Sequence, residues 1–202
     1  MGFSDIGIYI LNELYALRGS KLVEIYEWTN TLNLPFANKA YLLSLGAIFF
    51  QQNILAGFLA SIDLIIYSRI AFSLSIIGFS IVYFFYSILG IYFNEINFSY
   101  IGFNYILTSI ALGGFFIIPN HNSYITQIFI IPIVIIVGIS LQEIFNMFYL
   151  SVHSLPFNLV VLTILYGLKF RKDNRIGLST IFWQQKSPEK NLYFFNNYVE
   201  RF

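Results

Sequence analysis

Long hydrophobic runs set apart by short polar clusters make up most of the chain. Residues 1–38 stand aside from them. Asp5, Asn12 and Glu13 break the first apolar stretch, and Arg18, Lys21, Glu24 and Glu27 follow. No basic n-region precedes an apolar core, so this start does not read as a signal peptide. It reads as an extramembrane or interfacial segment, with Leu22, Ile25 and Trp28 on roughly one face and Pro35 as its end. Tyr41 to Phe50 is apolar and stops at Gln51-Gln52-Asn53, short of the ~20 residues that cross a bilayer. Ile54 to Tyr67 follows, with Gly57 and Asp63 inside it. The two pieces predict either one long tilted helix with a polar waist or a half-crossing followed by a short helix. Ile70 to Phe93 predicts a full span, closed by the loop Asn94-Glu95-Ile96-Asn97. Tyr100 to Ile118, with glycines at both ends, predicts a bent or partial crossing. Ile125 to Phe148 predicts a second full span, with Pro132 near its start. A polar break at Ser151-Val152-His153-Ser154 leads into Pro156 to Leu168. Ser187-Pro188-Glu189 reads as a helix start inside the polar, aromatic tail.

Charge sharpens this pattern into a fold class. Between Arg69 and Lys169 there is no Lys or Arg, and Glu95 and Glu143 are the only acids. The 202 residues are 57% hydrophobic, 20% aromatic and 10% charged, against roughly 25% charged in a soluble domain. A charge at the centre of a spanning helix costs about 2.5–3.5 kcal/mol, which accounts for the gap. The expected fold is an all-α polytopic membrane protein. Its divisions are an N-terminal interfacial segment (residues 1–38), a membrane domain (39–170) and a cytoplasmic polar, aromatic tail (171–202). Lys and Arg collect on the cytoplasmic side, so Lys169-Phe170-Arg171-Lys172 places the end of the last helix there. The location that follows is the cell membrane, plasma or bacterial inner, crossed several times. A net charge of +1 gives no basic field for nucleic acid. Without cysteine, thiolate catalysis, disulfides and Cys-type zinc sites are excluded. No nucleophile–base arrangement or phosphate loop appears, so no enzyme activity and no cofactor are expected.

The most specific string is Gly102-Phe103-Asn104-Tyr105-Ile106-Leu107-Thr108-Ser109-Ile110-Ala111-Leu112-Gly113-Gly114. Read alone, it is either a small-residue helix-packing face or a place where an amide and an aromatic ring meet at membrane depth. It resembles the second-repeat signature of the urea transporter family, a group of urea channels. Leu45 to Gly57, around Phe50-Gln51-Gln52-Asn53, resembles that family's Phe-Gln-Asn-Asn string. Leu150 to Phe157 resembles its Leu-Pro-x-Leu-Thr-x-Pro-Phe. The resemblance covers about residues 40–170 and implies one repeat of about five spanning helices and a re-entrant half-helix. The family pairs two such halves in inverted orientation, and only one set of motifs is present here. The implied partner is therefore a second repeat, a partner subunit or a second copy in dual topology, or else the chain is part of a longer gene product.

Urea is small, planar and neutral, with amide donors and one carbonyl acceptor. A path for it needs a narrow apolar slot and acceptors that replace its water. Non-helical backbone at membrane depth supplies carbonyls and survives only where it lines a cavity. The expected sources are breaks at 99–104 and 150–156. By resemblance the slot is formed by Ile48, Phe103 and Leu107, with Asn104 beside it. Ser154 falls where the family carries a threonine at the narrow centre. Ala47, Ser151 and His153 depart from the family pattern. Glu143, next to Gln142, is either a pathway residue inside the membrane or an acid that snorkels to the interface. His121 reads as a loop residue, and His153 with Glu143 makes too few ligands for a metal. The alternative to a channel is a non-transporting membrane interaction protein or anchor, a remnant half.

Overall fold

A computed structural model of the chain describes residues 20–51, 53–90, 98–170 and 187–198. The readings made for residues 1–17, the loop 94–97, the pair Arg171 and Lys172 and most of the tail lie outside these. The described residues form eight α-helices. They are α1 (Ser20–Thr31), α2 (Phe36–Ile48), α3 (Ile54–Tyr67), α4 (Arg69–Ile88), α5 (Phe98–Ile110), α6 (His121–Asn146), α7 (Leu155–Lys169) and α8 (Pro188–Tyr198). A π-helical turn, Ala111–Phe115, continues α5. The fold is all-α, as the apolar runs predict.

Local chemistry sets the boundaries. Asn53 is extended and its side-chain oxygen accepts from Leu55 N at 2.9 Å, starting α3. Ser68 is the single non-helical residue between α3 and α4, and its Oγ accepts from Ala71 N at 3.0 Å. Asn120 and Ser123 form a capping box at the start of α6. Pro156 sits in the first turn of α7, where no amide donor is needed. Residues 41–67 form two separate helices rather than one long one. The chain turns at Phe49-Phe50, and α2 and α3 fold back side by side.

Leu45, Leu74, Val82, Tyr105, Ile106, Leu112, Ile131 and Val134 form a buried core between α2, α4, α5 and α6. Arg69–Ile88 and His121–Asn146 are long and apolar enough to cross a membrane. Only 22% of the apolar window of the second is buried within the bundle, unlike a mostly buried core helix. Its exposed positions are large and apolar: Ile128, Phe129, Ile133 and Ile136. In lipid, apolar burial no longer drives helices together, so small residues that allow close approach do the packing. A Cβ on Gly57 would stand 1.8 Å from Leu42 O, and one on Gly102 would stand 2.0 Å from Ser44 Oγ.

That contact corrects one expectation. Gly102-Phe103-Asn104 is not a break, because α5 runs through it from Phe98. The glycine is there for the close approach of α2 rather than for a change of backbone direction. Ile25 and Trp28 of α1 are exposed, so that face is not packed on the bundle.

The bundle has a charged end. Tyr67 at the end of α3 stacks on Phe115 of the π turn, with centroids 6.2 Å apart and planes 6° apart. Arg69 begins α4 beside them, and Ser123 in the first turn of α6 donates to Gly113 O at 3.2 Å. Lys169 in the last turn of α7 belongs to this end, because α7 runs back along α6 from Pro156 beside Gly138. Lys39 does not: the first turn of α2 lies beside Ser80 and Tyr83, well into α4. Neither 40–68 nor 70–168 contains a Lys or Arg, so the opposite ends of α3, α4, α6 and α7 carry none.

Candidate functional site

Three helices are too short to reach from one end of the bundle to the other. α2, α3 and α7 have 13, 14 and 15 residues. At 1.5 Å per residue each is about 20–22 Å long, against a hydrocarbon thickness of about 30 Å. By comparison α6 has 26 residues. Since α3 and α7 each have one end in the charged layer, their other ends, Ile54 and Leu155, stop short of the far side.

Those free ends meet. The Phe50 ring packs edge-on against His153, with centroids 6.4 Å apart and planes at 74°. Asn104 of α5 donates from Nδ2 to His153 O at 2.9 Å. The three strings singled out in the sequence, around residues 50, 104 and 153, are thus brought to one place. Phe50 (φ 58°), Tyr149 (φ 55°) and His153 (φ 41°) are the non-glycine residues with positive φ among the described residues, and all three lie in the two breaks. A left-handed conformation costs a non-glycine residue about 1–2 kcal/mol, and such strain gathers at functional sites. Both breaks open with the same helix-ending geometry. Gln51 N donates to Gly46 O at 3.1 Å, and Leu150 N to Phe145 O at 3.0 Å, around Phe50 and Tyr149 in the glycine-like position.

Asn104 is 4% exposed. Its Oδ1 is buried and has no hydrogen-bond partner among the described residues. Its backbone oxygen accepts from Thr108 Oγ1 at 2.7 Å. Replacing Asn104 with Leu should free the 149–154 segment and cost about 1–3 kcal/mol, the range for losing a buried hydrogen bond. A thermal melt in detergent reads the loss, and an unchanged melting temperature would show the tie to be dispensable.

The other candidate residues distribute around this point. Gly78 of α4 approaches Tyr105 O and Ser109, and Leu74 approaches Gly113, so the 105–109–113 side of α5 faces α4. Gly102 faces Ser44 of α2. Phe103 and Leu107, four residues apart, share a different side of the helix. Phe103 is 7% exposed, while Leu107 is half-buried. Ile48, also half-buried, ends α2 just before the Phe50 turn. Ser154 is half-buried and begins α7; its carbonyl accepts from Asn158 N and Nδ2, at 3.1 and 3.0 Å. Glu143 is exposed near the end of α6 and is not drawn into the cluster. A cavity of about 350 Å³ lies elsewhere, between α2 and α4, lined by Asn38, Tyr41, Phe79, Ser80 and Tyr83 among others.

Sequence reasoning missed Tyr149 and the role of Phe50 as a tight turn. Neither carries a turn signal, since aromatic residues are not expected at positive φ. A family model described as urea transporter matches residues 13–169. Comparison with curated proteins finds none that matches.

Proposed function

The chain belongs to the urea transporter family, and from that premise we propose that it forms one wall of a passive, channel-like path for urea. Family membership carries with it a membrane location and a transport rather than an enzymatic role. The finer reading is ours: one repeat of the second-half type, with about five spanning helices and a re-entrant element, in the plasma or bacterial inner membrane. A second repeat, a partner subunit or a second copy supplies the facing wall.

The observation that carries the reading is the meeting of two shortened helix ends at an amide with an unused acceptor. Irregular backbone at hydrocarbon depth is tolerated where it lines a cavity, and our reading puts both breaks there. Asn104 Oδ1, buried here without a partner, is the carbonyl acceptor we assign to an amide N–H of urea once the facing wall opens the path beside it. Phe103, Leu107 and Ile48 provide the apolar slot, and the Ser154 hydroxyl and carbonyl extend the polar line. No charge is needed, because the solute has none. Glu143 stands at the rim of the path.

One observation favours the non-transporting alternative. Phe103 is nearly buried within this single chain, so its ring is not laid open for a facing half. Stopped-flow urea flux in proteoliposomes separates the two readings, with the oligomeric state measured on the same sample. Urea shrink–swell rates above those of empty vesicles are expected whenever the facing wall is present. Rates equal to empty vesicles, from folded protein in an established paired state, would remove the channel reading.

A further inference from the structure

Residues 188–198 lie beyond the stretch matched by the family model, yet they dock on the bundle. Glu189 Oε1 accepts from Ser68 Oγ at 2.9 Å and from Ile70 N at 3.0 Å, more than a hundred residues away in sequence. The carboxylate therefore caps the first turn of α4, where unpaired amides and the helix dipole favour a negative charge. Pro188 is fully buried, and its Cγ would stand 3.2 Å from a Cβ placed on Gly114 of the π turn. Asn191 is 7% exposed. One turn of helix thus covers two features of the charged end at once: the start of α4 and the end of α5.

We propose that α8 is an intramolecular strap, latched by Glu189, that holds the π turn and the first turn of α4 in place. A π turn is rare and frequently found at functional sites. This one hangs on the same helix as Asn104 and Leu107. Gly113 and Gly114 have no side chains of their own to anchor the turn. Leu74 fills one side and Pro188 the other. Releasing the strap removes the Pro188 side and leaves the turn free to relax toward regular helix.

The latch works with its charge on. Burial pushes the Glu189 carboxyl up, but the hydrogen bonds from Ile70 N, from its own N–H, from Ser68 and from Arg69 N outweigh that and hold it below the ordinary glutamate value. Among the described residues the charged groups adjoining it in the chain or at the start of α4 are Lys190 and Arg69, both exposed, and Tyr67 ends α3. The π turn offers no titratable group. A depressed carboxyl stabilises docking above the unfolded value and loses it as pH falls through the folded one. The strap stays closed at neutral pH and opens only in acid.

Hydrogen–deuterium exchange on the full chain tests this without reference to urea. In Glu189→Ala, amides of 191–198 and Ile70 should exchange about tenfold faster or more, as expected for losing hydrogen bonds to a charged group. Amides of 112–116 should follow, while 130–135 in the α6 core remain slow and report an intact bundle. Glu189→Gln, which keeps the shape and one acceptor, should fall between. Unchanged protection of 191–198 in Glu189→Ala would remove the latch. Undocking of 191–198 with no change at 112–116 would show that α8 does not hold the π turn, and would overturn the strap. Either failure leaves the urea reading untouched.

Discussion

Leu107→Trp should reduce urea permeability to that of empty vesicles while the protein keeps its fold. Leu107 is half-buried on a side of α5 that faces neither α4 nor the Gly102 contact with α2. It stands one helical turn from Phe103 and Asn104, toward the charged end. A larger side chain there can fill a path without displacing the core. Phe103→Trp is a weaker probe, because Phe103 is already buried and overpacking costs about 1–3 kcal/mol in its own right. The control is Ile136→Trp on the outer side of α6, where the side chain is 65% exposed; flux through that variant should equal the parent's. Stopped-flow light scattering with a urea gradient reads both. A folded Leu107→Trp protein with parental flux would take Leu107 out of the pathway and leave the slot without its central residue.

Gly57→Ala should be the most damaging single methyl in the chain. The added carbon would meet Leu42 O at 1.8 Å, Leu42 C at 2.5 Å and Leu42 Cα at 2.9 Å. These are backbone atoms of the facing helix, so no rotamer change relieves the clash. The α2–α3 pair must part, and the Phe50 turn at its tip must leave His153. We expect a loss at or above the upper end of the about 1–3 kcal/mol usual for overpacking, read as a fall in melting temperature in detergent. Gly138→Ala is the matched control, since its new carbon meets Pro156 and Tyr105 Oη no closer than 3.8 Å. In the interior of α6 that change should stabilise by about 0.5–1 kcal/mol. Equal melting temperatures for the two variants would show that the hairpin is not closely packed.

The sequence made the helices legible because hydrocarbon leaves the backbone few choices. Approaching Gln51-Gln52-Asn53 and Ser151–Ser154, the apolar helices end at Ile48 and Asn146 and new ones begin at Ile54 and Leu155. Ile54–Tyr67 was readable from its run of apolar residues, and Pro188 from the Ser-Pro-Glu start. The Gly102 string was misread because glycine serves two purposes that look alike in one dimension. Only the position of Ser44 shows that closeness, not freedom, is the reason for it. The turns at Phe50 and Tyr149 were illegible for the opposite reason: the residues at positive φ are aromatic. The tie from Asn104 to His153 and the Glu189 cap on α4 join distant parts of the chain, and no local pattern encodes such pairs. Asn104 itself was found from its motif, but its unused acceptor needed the packing around it.

The charged end of the bundle has a consequence for assembly. A small membrane protein that pairs with an inverted copy of itself must enter the bilayer both ways in similar amounts, which requires nearly balanced Lys and Arg at its two ends. Among the described residues Arg69, Lys169 and, through the docked α8, Lys190 share one end, and the opposite ends of α3, α4, α6 and α7 carry no Lys or Arg. Such a bias sets a single direction of insertion. A reporter fused after Phe202 should be active on one side of the membrane alone, and equal activity on both sides would contradict this. On that bias we expect an antiparallel wall facing this one to come more readily from a sequence whose own basic residues lie at the other end of its helices than from an inverted second copy.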